Sequence, residues 1–224
     1  MNLNKHLEFL EPASYDKPIH VIGVGAVGSR IVEQLVRLGF TNLYLYDFDV
    51  VEDYNVTNQL YYNTDIGKPK LHALVTHMKQ INPLCEYRLF EQGYTGQALS
   101  GAVFLAVDSI DLRREIVEAN EYNNNIDIMF DCRMRLTDAQ AYAGIWKDHG
   151  SITRFLQTMQ FTDEDAEKAT PVSVCGTTLS VSPTVITIAA LTVANFINFI
   201  RKEDEFKVKE SIFIDDFLHT LVYY

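Results

Sequence analysis

The chain has 224 residues and a formal net charge of −11, because 30 acidic residues outnumber 19 lysines and arginines. This excess of negative charge argues against nonspecific binding to nucleic acid and against binding to an anionic membrane surface. The length suffices for one large α/β domain, and we expect a single domain over residues 1–224. The first residues lack a signal-peptide layout, so we expect a cytoplasmic protein.

The first part of the chain alternates between strand and helix patterns. We predict strands over about 19–24, 42–47, 86–91, 102–107 and 127–130, and helices over about 26–38, 67–80 and 111–121. The run from Ala102 to Val107 is continuously apolar, which is typical of a parallel strand buried on both faces. This alternation predicts an α/β, Rossmann-like, doubly wound and mostly parallel sheet with helices on both faces.

The remainder of the chain has a different character. A sixth strand is predicted over about 140–146, and residues 147–176 are expected to form a long, largely irregular polar loop. A helix is predicted over about 183–200, and its Ser, Thr, Asn and Pro residues favour a buried helix over a membrane span. Short apolar runs at 211–214 and 221–224 complete the pattern.

The segment Gly23-Val-Gly-Ala-Val-Gly28 lies between the first strand and the first helix. A G-x-G-x-x-G turn in this context has one glycine for the tight turn, one for close phosphate approach and one for helix packing. Gly23, Gly25, Ala26, Val27 and Gly28 therefore form a candidate phosphate site at a helix N-terminus. Asp47 ends the second strand, where an acid reaches ribose hydroxyls; the alternative is that it caps a turn.

Further polar residues follow in a fixed order: Asp49, Asn55, Gln59, Lys70 and Asp108. With the glycine turn, they resemble the HesA/MoeB/ThiF superfamily, the ATP-dependent adenylating domains related to ubiquitin-activating enzymes. Over about 18–135 the resemblance is good. The short length, the Asn58-Gln59 pair and Asp131-Cys-Arg-Met134 look more like the short ThiF-like proteins of phages and mobile elements.

This resemblance implies roles for individual residues. Asp47 would hold the ribose, Asn55 and Lys70 would contact phosphates of ATP, and Asp108 would hold Mg²⁺. The catalytic set would be Asp108, Lys70, Asn55 and Gln59, and Asp49 would join the nucleotide-binding set. Four of these residues also have an alternative interpretation without a role in nucleotide binding: Lys70 as a solvated lysine, Asn55 and Gln59 as ordinary polar loop residues, and Asp108 as a helix N-cap.

The resemblance also implies an activity and a partner. We expect adenylation of a carboxylate, the C-terminus of a small ubiquitin-like or sulfur-carrier-like protein, by a homodimer. Where the family has an arginine that contacts the triphosphate, this chain has Asn58, which cannot supply that charge. Two other functions therefore stay open, a nucleotide-binding module without chemistry and an NAD-dependent oxidoreductase.

Two other features have open interpretations. Cys175 is either a thioester-forming nucleophile, by a faint resemblance to ubiquitin-activating enzymes, or a small buried residue. Asp131 and Arg133 either face the nucleotide or form a structural salt bridge. Cys85, Cys132 and Cys175 contain no Cys-x-x-Cys pair, so neither a disulfide framework nor a four-cysteine zinc site is supported.

Overall fold

A computed structural model describes residues 1–172, 179–201, 211–215 and 220–223. The strands are β1 (Ile19–Ile22), β2 (Asn42–Tyr46), β3 (Glu86–Phe90), β4 (Gly101–Leu105), β5 (Ile126–Met134), β6 (Ala139–Ile145), β7 (Ser211–Asp215) and β8 (Thr220–Tyr223). The helices are α1 (Ala26–Leu38), α2 (Lys70–Ile81), α3 (Ile110–Ala119), α4 (His149–Gln157), α5 (Asp163–Ala169) and α6 (Ser182–Arg201).

All eight strands form one sheet in the order β3-β2-β1-β4-β5-β6-β7-β8. The first five of these strands pair in parallel, and β6, β7 and β8 are added antiparallel. The chain order reverses between β1 and β4, which pair directly, with Ile22 opposite Leu105. In open α/β sheets a ligand binds beyond the carboxyl ends of the strands at this switch point.

Helices cover both faces of the sheet. On one face, α1, α2 and α6 pack on alternate strand residues such as Val21 and Phe104; on the other, α3 and α4 pack on Ile22 and Leu105. Neighbouring strand residues point to opposite faces, so a strand buried on both sides must be apolar throughout. All five residues of β4 are buried, as its sequence predicted. The predicted fold class is confirmed.

Residues 147–176 were expected to form a long loop, and that prediction was wrong for most of them. The segment contains α4 and α5. Asp148 caps α4 through a bond from the Gly150 N–H, and Thr162 and Asp165 form a capping box at the start of α5. The α5 sequence has no apolar face, and none of its residues is buried. It therefore lacks the hydrophobic periodicity by which helices are predicted.

Among the described helices, α6 alone is long and apolar enough to cross a membrane by length and composition. Its buried side chains, including Val185, Ile188 and Phe196, pack against α1 and against β5 and β6. This is the arrangement of a core helix, as its polar residues had suggested. The apolar runs noted at 211–214 and 221–224 coincide largely with β7 and β8, an antiparallel pair that extends the sheet beyond β6.

Candidate nucleotide site

The glycine turn joins β1 to α1, and its three glycines have different surroundings. Gly23 has a φ of +89°, which favours glycine, and a Cβ there would lie 2.7 Å from the carbonyl oxygen of Ala106. A Cβ at Gly28 would lie 1.9 Å from the carbonyl oxygen of Gly23. At Gly25, the N-cap of α1, a Cβ would meet no atom within 4 Å. The middle glycine therefore leaves space at the helix N-terminus, where a phosphate is favoured.

Asp47 connects the end of β2 to the glycine turn. Its Oδ2 accepts the Val24 N–H at 2.8 Å and its Oδ1 accepts the Asp49 N–H at 2.9 Å. Burial raises the pKa of the Asp47 carboxyl, and the bonds from the Asp49 and Val24 N–H groups only partly offset this increase. Asp47 is thus part of the turn itself, and its oxygens retain the lone pairs that a ribose hydroxyl would need.

Lys70 lies at the start of α2 rather than inside it, because α2 begins at residue 70 and not at about 67 as predicted. Gly67 has a φ of +84° and lies in a turn, and Pro69 is the N-cap, so residues 67–69 are not helical. The Lys70 N–H donates to the Asp49 carbonyl at 2.9 Å, and its Nζ donates to Asp49 Oδ2 at 2.7 Å. Lys70 is buried, which excludes the alternative that it is a solvated lysine.

Asn55 and Gln59 occupy the segment between β2 and α2. Asn55 is buried, and its Oδ1 accepts the Glu52 N–H at 2.9 Å, which closes a 3₁₀ turn over residues 53–57. The Oε1 of Gln59 is shielded from solvent and has no hydrogen-bond partner among the described residues. A buried acceptor without a donor is unusual, so Gln59 is the better candidate of the two for contact with a ligand.

Asp108 follows β4 and is exposed. The N-cap of α3 is Ser109, whose side chain accepts the Leu112 N–H, so the alternative that Asp108 caps this helix is wrong. Asp163 of α5 also contacts the N-terminus of α3: its carboxylate accepts the Ser109 hydroxyl at 2.8 Å and the Ile110 N–H at 2.5 Å. Asp108 Oδ1 accepts only the Ser109 N–H among the described hydrogen bonds, so its carboxylate has room for another partner.

The exposed carboxylate of Asp108 fits a magnesium ion that is bound together with a nucleotide. Within the part of the chain that the structure describes, no group of three or more His, Cys, Asp or Glu side chains could hold a metal ion. Magnesium usually retains waters and binds one or two carboxylates plus substrate phosphates, so a single exposed Asp108 is sufficient. Asp108 would hold the ion, which would neutralise phosphate charge.

Asp131 and Arg133 form a structural ion pair, which resolves the alternatives left open by the sequence. Asp131 is fully buried at the end of the β4–β5 pairing and contacts both Arg113 Nη1 and Arg133 Nη2. Arg113 also donates to the carbonyls of Leu105, Val107 and Cys132. Arg113, five residues after Asp108, therefore fixes the end of β4, and with it the position of Asp108.

Comparison with known proteins identifies the family. The ThiF family model matches residues 15–222. The chain belongs to the ThiF family. Over 142 residues it is 28% identical to tRNA threonylcarbamoyladenosine dehydratase 2 of Saccharomyces cerevisiae, covering 57% of this chain and 32% of that protein. Over 115 residues it is 30% identical to ubiquitin-like modifier-activating enzyme 5 of Arabidopsis thaliana, covering 51% and 26%. It spans only about a quarter to a third of these relatives.

Solved structures share the fold over nearly the whole chain. PaaA superposes with a TM-score of 0.69 at 14% identity, covering 99% of this chain and 67% of PaaA. Escherichia coli MccB, crystallised with ATP, gives a TM-score of 0.64 at 17% identity, covering 95% of this chain and 65% of MccB. At these identities the similarity shows a shared fold alone.

Two residues without a signal in the sequence hold the candidate nucleotide site of this ThiF-family chain in place. The Tyr61 hydroxyl donates to the Val24 carbonyl at 2.7 Å, and Ser29 Oγ accepts the Leu60 N–H at 3.2 Å. These bonds fix the segment after Gln59 against the glycine turn and α1. Neither residue has a local signal, because a tyrosine in a loop and a serine in a helix are each compatible with many contacts.

The cysteines of the described chain are poor nucleophiles. Burial raises the pKa of Cys85 to about 11 and that of Cys132 to about 12, so both thiols stay protonated near neutral pH. Cys175, the third, lies outside the described residues. Its assignment as a nucleophile stays a prediction.

Proposed function

We propose that this chain binds ATP and Mg²⁺ at the candidate nucleotide site and adenylates a carboxylate. The observation that carries the proposal is the open approach to Gly25 at the start of α1. One carboxylate, Asp47, contacts the same turn, and a second, Asp108, follows β4, the strand paired with β1. Phosphates at a helix N-terminus, a ribose at Asp47 and a metal at Asp108 agree with this layout.

The reaction is nucleophilic substitution at phosphorus. A carboxylate oxygen of the acceptor attacks the α-phosphorus of ATP, the bond to the bridging oxygen of the β-phosphate breaks, and pyrophosphate leaves with that electron pair. The product is an acyl adenylate. Lys70 would supply positive charge to the phosphates after exchanging its contact with Asp49, and Mg²⁺ held by Asp108 would neutralise charge on the leaving pyrophosphate.

The acceptor in this proposal is the C-terminus of a small ubiquitin-like or sulfur-carrier-like protein. Two comparisons support a protein or peptide acceptor: one relative is named a ubiquitin-like modifier-activating enzyme, and MccB has been crystallised with MccA. We also propose a homodimer and a cytoplasmic location, the first from the resemblance and the second from the sequence. Sedimentation of the purified chain tests the homodimer.

A specific observation favours a second candidate, a nucleotide-binding module without chemistry. The side-chain amide of Asn58 contacts Ser180 Oγ, so this position holds the 55–60 segment near the start of α6 and supplies no positive charge. Loss of one charged contact to a phosphate raises a reaction barrier by roughly 2–4 kcal/mol, which is about thirtyfold to a thousandfold in rate. We therefore expect slow adenylation.

The test has two steps. Calorimetric titration compares ATP, with and without Mg²⁺, against NAD; equal or tighter binding of NAD would favour an oxidoreductase instead. Exchange of radiolabelled pyrophosphate into ATP is then measured with small β-grasp proteins that end in Gly-Gly. We expect exchange that depends on one acceptor. Tight Mg·ATP binding without exchange, despite a demonstrated complex with an acceptor, would refute adenylation and leave the binding module.

A further inference from the structure

Even with Mg²⁺ at Asp108, which would bring the nearby charges only to zero, the charges around the glycine turn do not suffice for a triphosphate. Asp47, Asp49 and Asp108 contribute three carboxylates, whereas Lys70 contributes one ammonium group, already 2.7 Å from Asp49. Nearby cations are also paired: Lys68 lies 3.1 Å from Asp65, and Arg113 contacts the buried Asp131. A polyphosphate bound here requires additional positive charge, because buried or partly buried charges are poorly screened by solvent.

Arg30, on the first turns of α1, has a guanidinium group that is incompletely paired. Its Nη1 lies 3.4 Å from Glu33 Oε2, a long contact, and its Nε is shielded from solvent without a hydrogen-bond partner among the described residues. Glu33 is committed mainly to Arg37, whose Nη2 and Nε lie 2.9 and 3.0 Å from Oε1. A shielded donor without an acceptor is costly, so a further acceptor for Arg30 is expected.

The position of Arg30 allows it to reach that acceptor. It follows Ala26 by four residues on the same helix face, about 6 Å along the axis, and helical side chains lean towards the N-terminus. Ser29 Oγ accepts the Leu60 N–H, so the segment with the unpaired Gln59 Oε1 passes the same end of α1. An arginine side chain spans such a distance, and its planar fork matches phosphate oxygens.

We propose that Arg30 leaves Glu33 and binds the phosphates beyond the α-phosphate of a nucleotide at the glycine turn, an inference that rests on the proposed function. Glu33 then stays paired with Arg37, so no buried charge is left alone by the exchange. Arg30 thus supplies the positive charge that Asn58 lacks and selects triphosphates over monophosphates.

The experiment compares Arg30→Gln with Arg37→Gln by calorimetric titration of Mg·ATP and of AMP. Arg37 is the matched control, because it lies on the same helix face and pairs with the same glutamate but is two turns farther from the glycine turn. We expect Arg30→Gln to weaken Mg·ATP binding roughly tenfold or more while leaving AMP affinity unchanged. Arg37→Gln should change neither affinity, and Arg30→Lys should give an intermediate ATP affinity.

Three results would overturn the inference: unchanged ATP affinity in Arg30→Gln, an equal loss for ATP and AMP, or the same loss in Arg37→Gln. The second would show that Arg30 supports the fold or the common part of the site. If wild-type protein binds Mg·ATP and Arg30→Gln is unaffected, only this inference fails. If wild-type protein binds no nucleotide, the proposed function fails with it.

Discussion

The three glycines of the turn between β1 and α1 differ in why a side chain is absent, either because it would collide with the backbone or because it would fill open space. A methyl group at Gly28 would collide with the Gly23 carbonyl, and one at Gly23 would collide with the Ala106 carbonyl. A methyl group at Gly25 would meet nothing within 4 Å. The first and third glycines are therefore required by packing, and the second by the space that it leaves.

Gly28→Ala and Gly25→Ala should consequently fail in different ways. We expect Gly28→Ala to lower the free energy of unfolding by about 3 kcal/mol or more, because the colliding atom is backbone. Gly25→Ala should cost less stability but abolish most of the thermal stabilisation by Mg·ATP. Urea unfolding and thermal shift measure the two effects. A large nucleotide-dependent shift in Gly25→Ala would contradict a phosphate site at this turn.

Asp108 and Ser109 are adjacent but have separable roles. Asp108→Asn should leave stability nearly unchanged and remove the gain in ATP affinity given by Mg²⁺, because Asp108 is exposed and does not cap α3. Ser109→Ala should instead cost about 1 kcal/mol of stability through loss of the cap. Titration of ATP with and without Mg²⁺ distinguishes them; an unchanged metal dependence in Asp108→Asn would remove the magnesium assignment.

At the scale of elements, the buried carboxylate of Asp131 and its partner Arg113 connect β4, β5 and α3. Arg113 of α3 reaches Asp131 of β5 and the carbonyls of Leu105 and Val107 at the end of β4. Arg133 completes the cluster and lies over the rings of Tyr142 and Phe161, with its Nη1 2.7 Å from the Thr158 carbonyl. The cluster positions the strand end from which Asp108 extends.

Arg113→Ala should be strongly destabilising. It leaves Asp131 buried with one partner fewer and frees several carbonyls, which we expect to cost about 3–5 kcal/mol in the free energy of unfolding. The control is Arg135→Ala, which removes a half-exposed pair with Asp138 and should cost about 1 kcal/mol or less. If Arg113→Ala and Arg135→Ala had equal m-values and midpoints in urea, the buried pair would contribute no more to the free energy of unfolding than the half-exposed pair.

At the scale of the whole molecule, the buried His20 connects β1, β2 and the segment before β4. Its Nδ1 lies 2.8 Å from the Tyr46 hydroxyl, and its Nε2 accepts the Ser100 N–H at 3.3 Å. Burial lowers the pKa of His20 to about 4, because it disfavours the charged imidazolium. The imidazole is therefore neutral in the folded protein throughout the usual working range of pH.

This depressed pKa predicts that acid destabilises the fold above the range where carboxylates titrate. Below a pH of about 6.5 the unfolded chain binds a proton that the folded chain does not, so stability falls by about 2 kcal/mol between pH 7 and pH 5. The loss saturates near pH 4. His20→Gln, less stable at pH 7, should show a flatter profile in urea unfolding. Parallel profiles for the two proteins would rule out His20 as the source.

The sequence by itself determined the alternation of strands and helices, the glycine turn and the family resemblance. These features depend on neighbours in the chain: β4 is buried on both faces and is apolar throughout, and each glycine acts at its own backbone position. The expected single domain, acceptor and homodimer stay predictions. The expected long loop was wrong for two different reasons: α5 begins with a capping box and buries no residue, whereas α4 is short but buries Ile152 and Phe155 in the core.

Only the tertiary structure decided which charges are free and which are paired. Asp131 and Asp108 both follow apolar strand residues, yet Asp131 is buried between two arginines and Asp108 is exposed. Arg113, one of the two arginines that pair with Asp131, lies 18 residues away on another element, and the Ile110 N–H that binds Asp163 lies more than 50 residues away. Coulomb and hydrogen-bond energies depend on distance in space and on burial, and no local pattern in a sequence encodes either quantity.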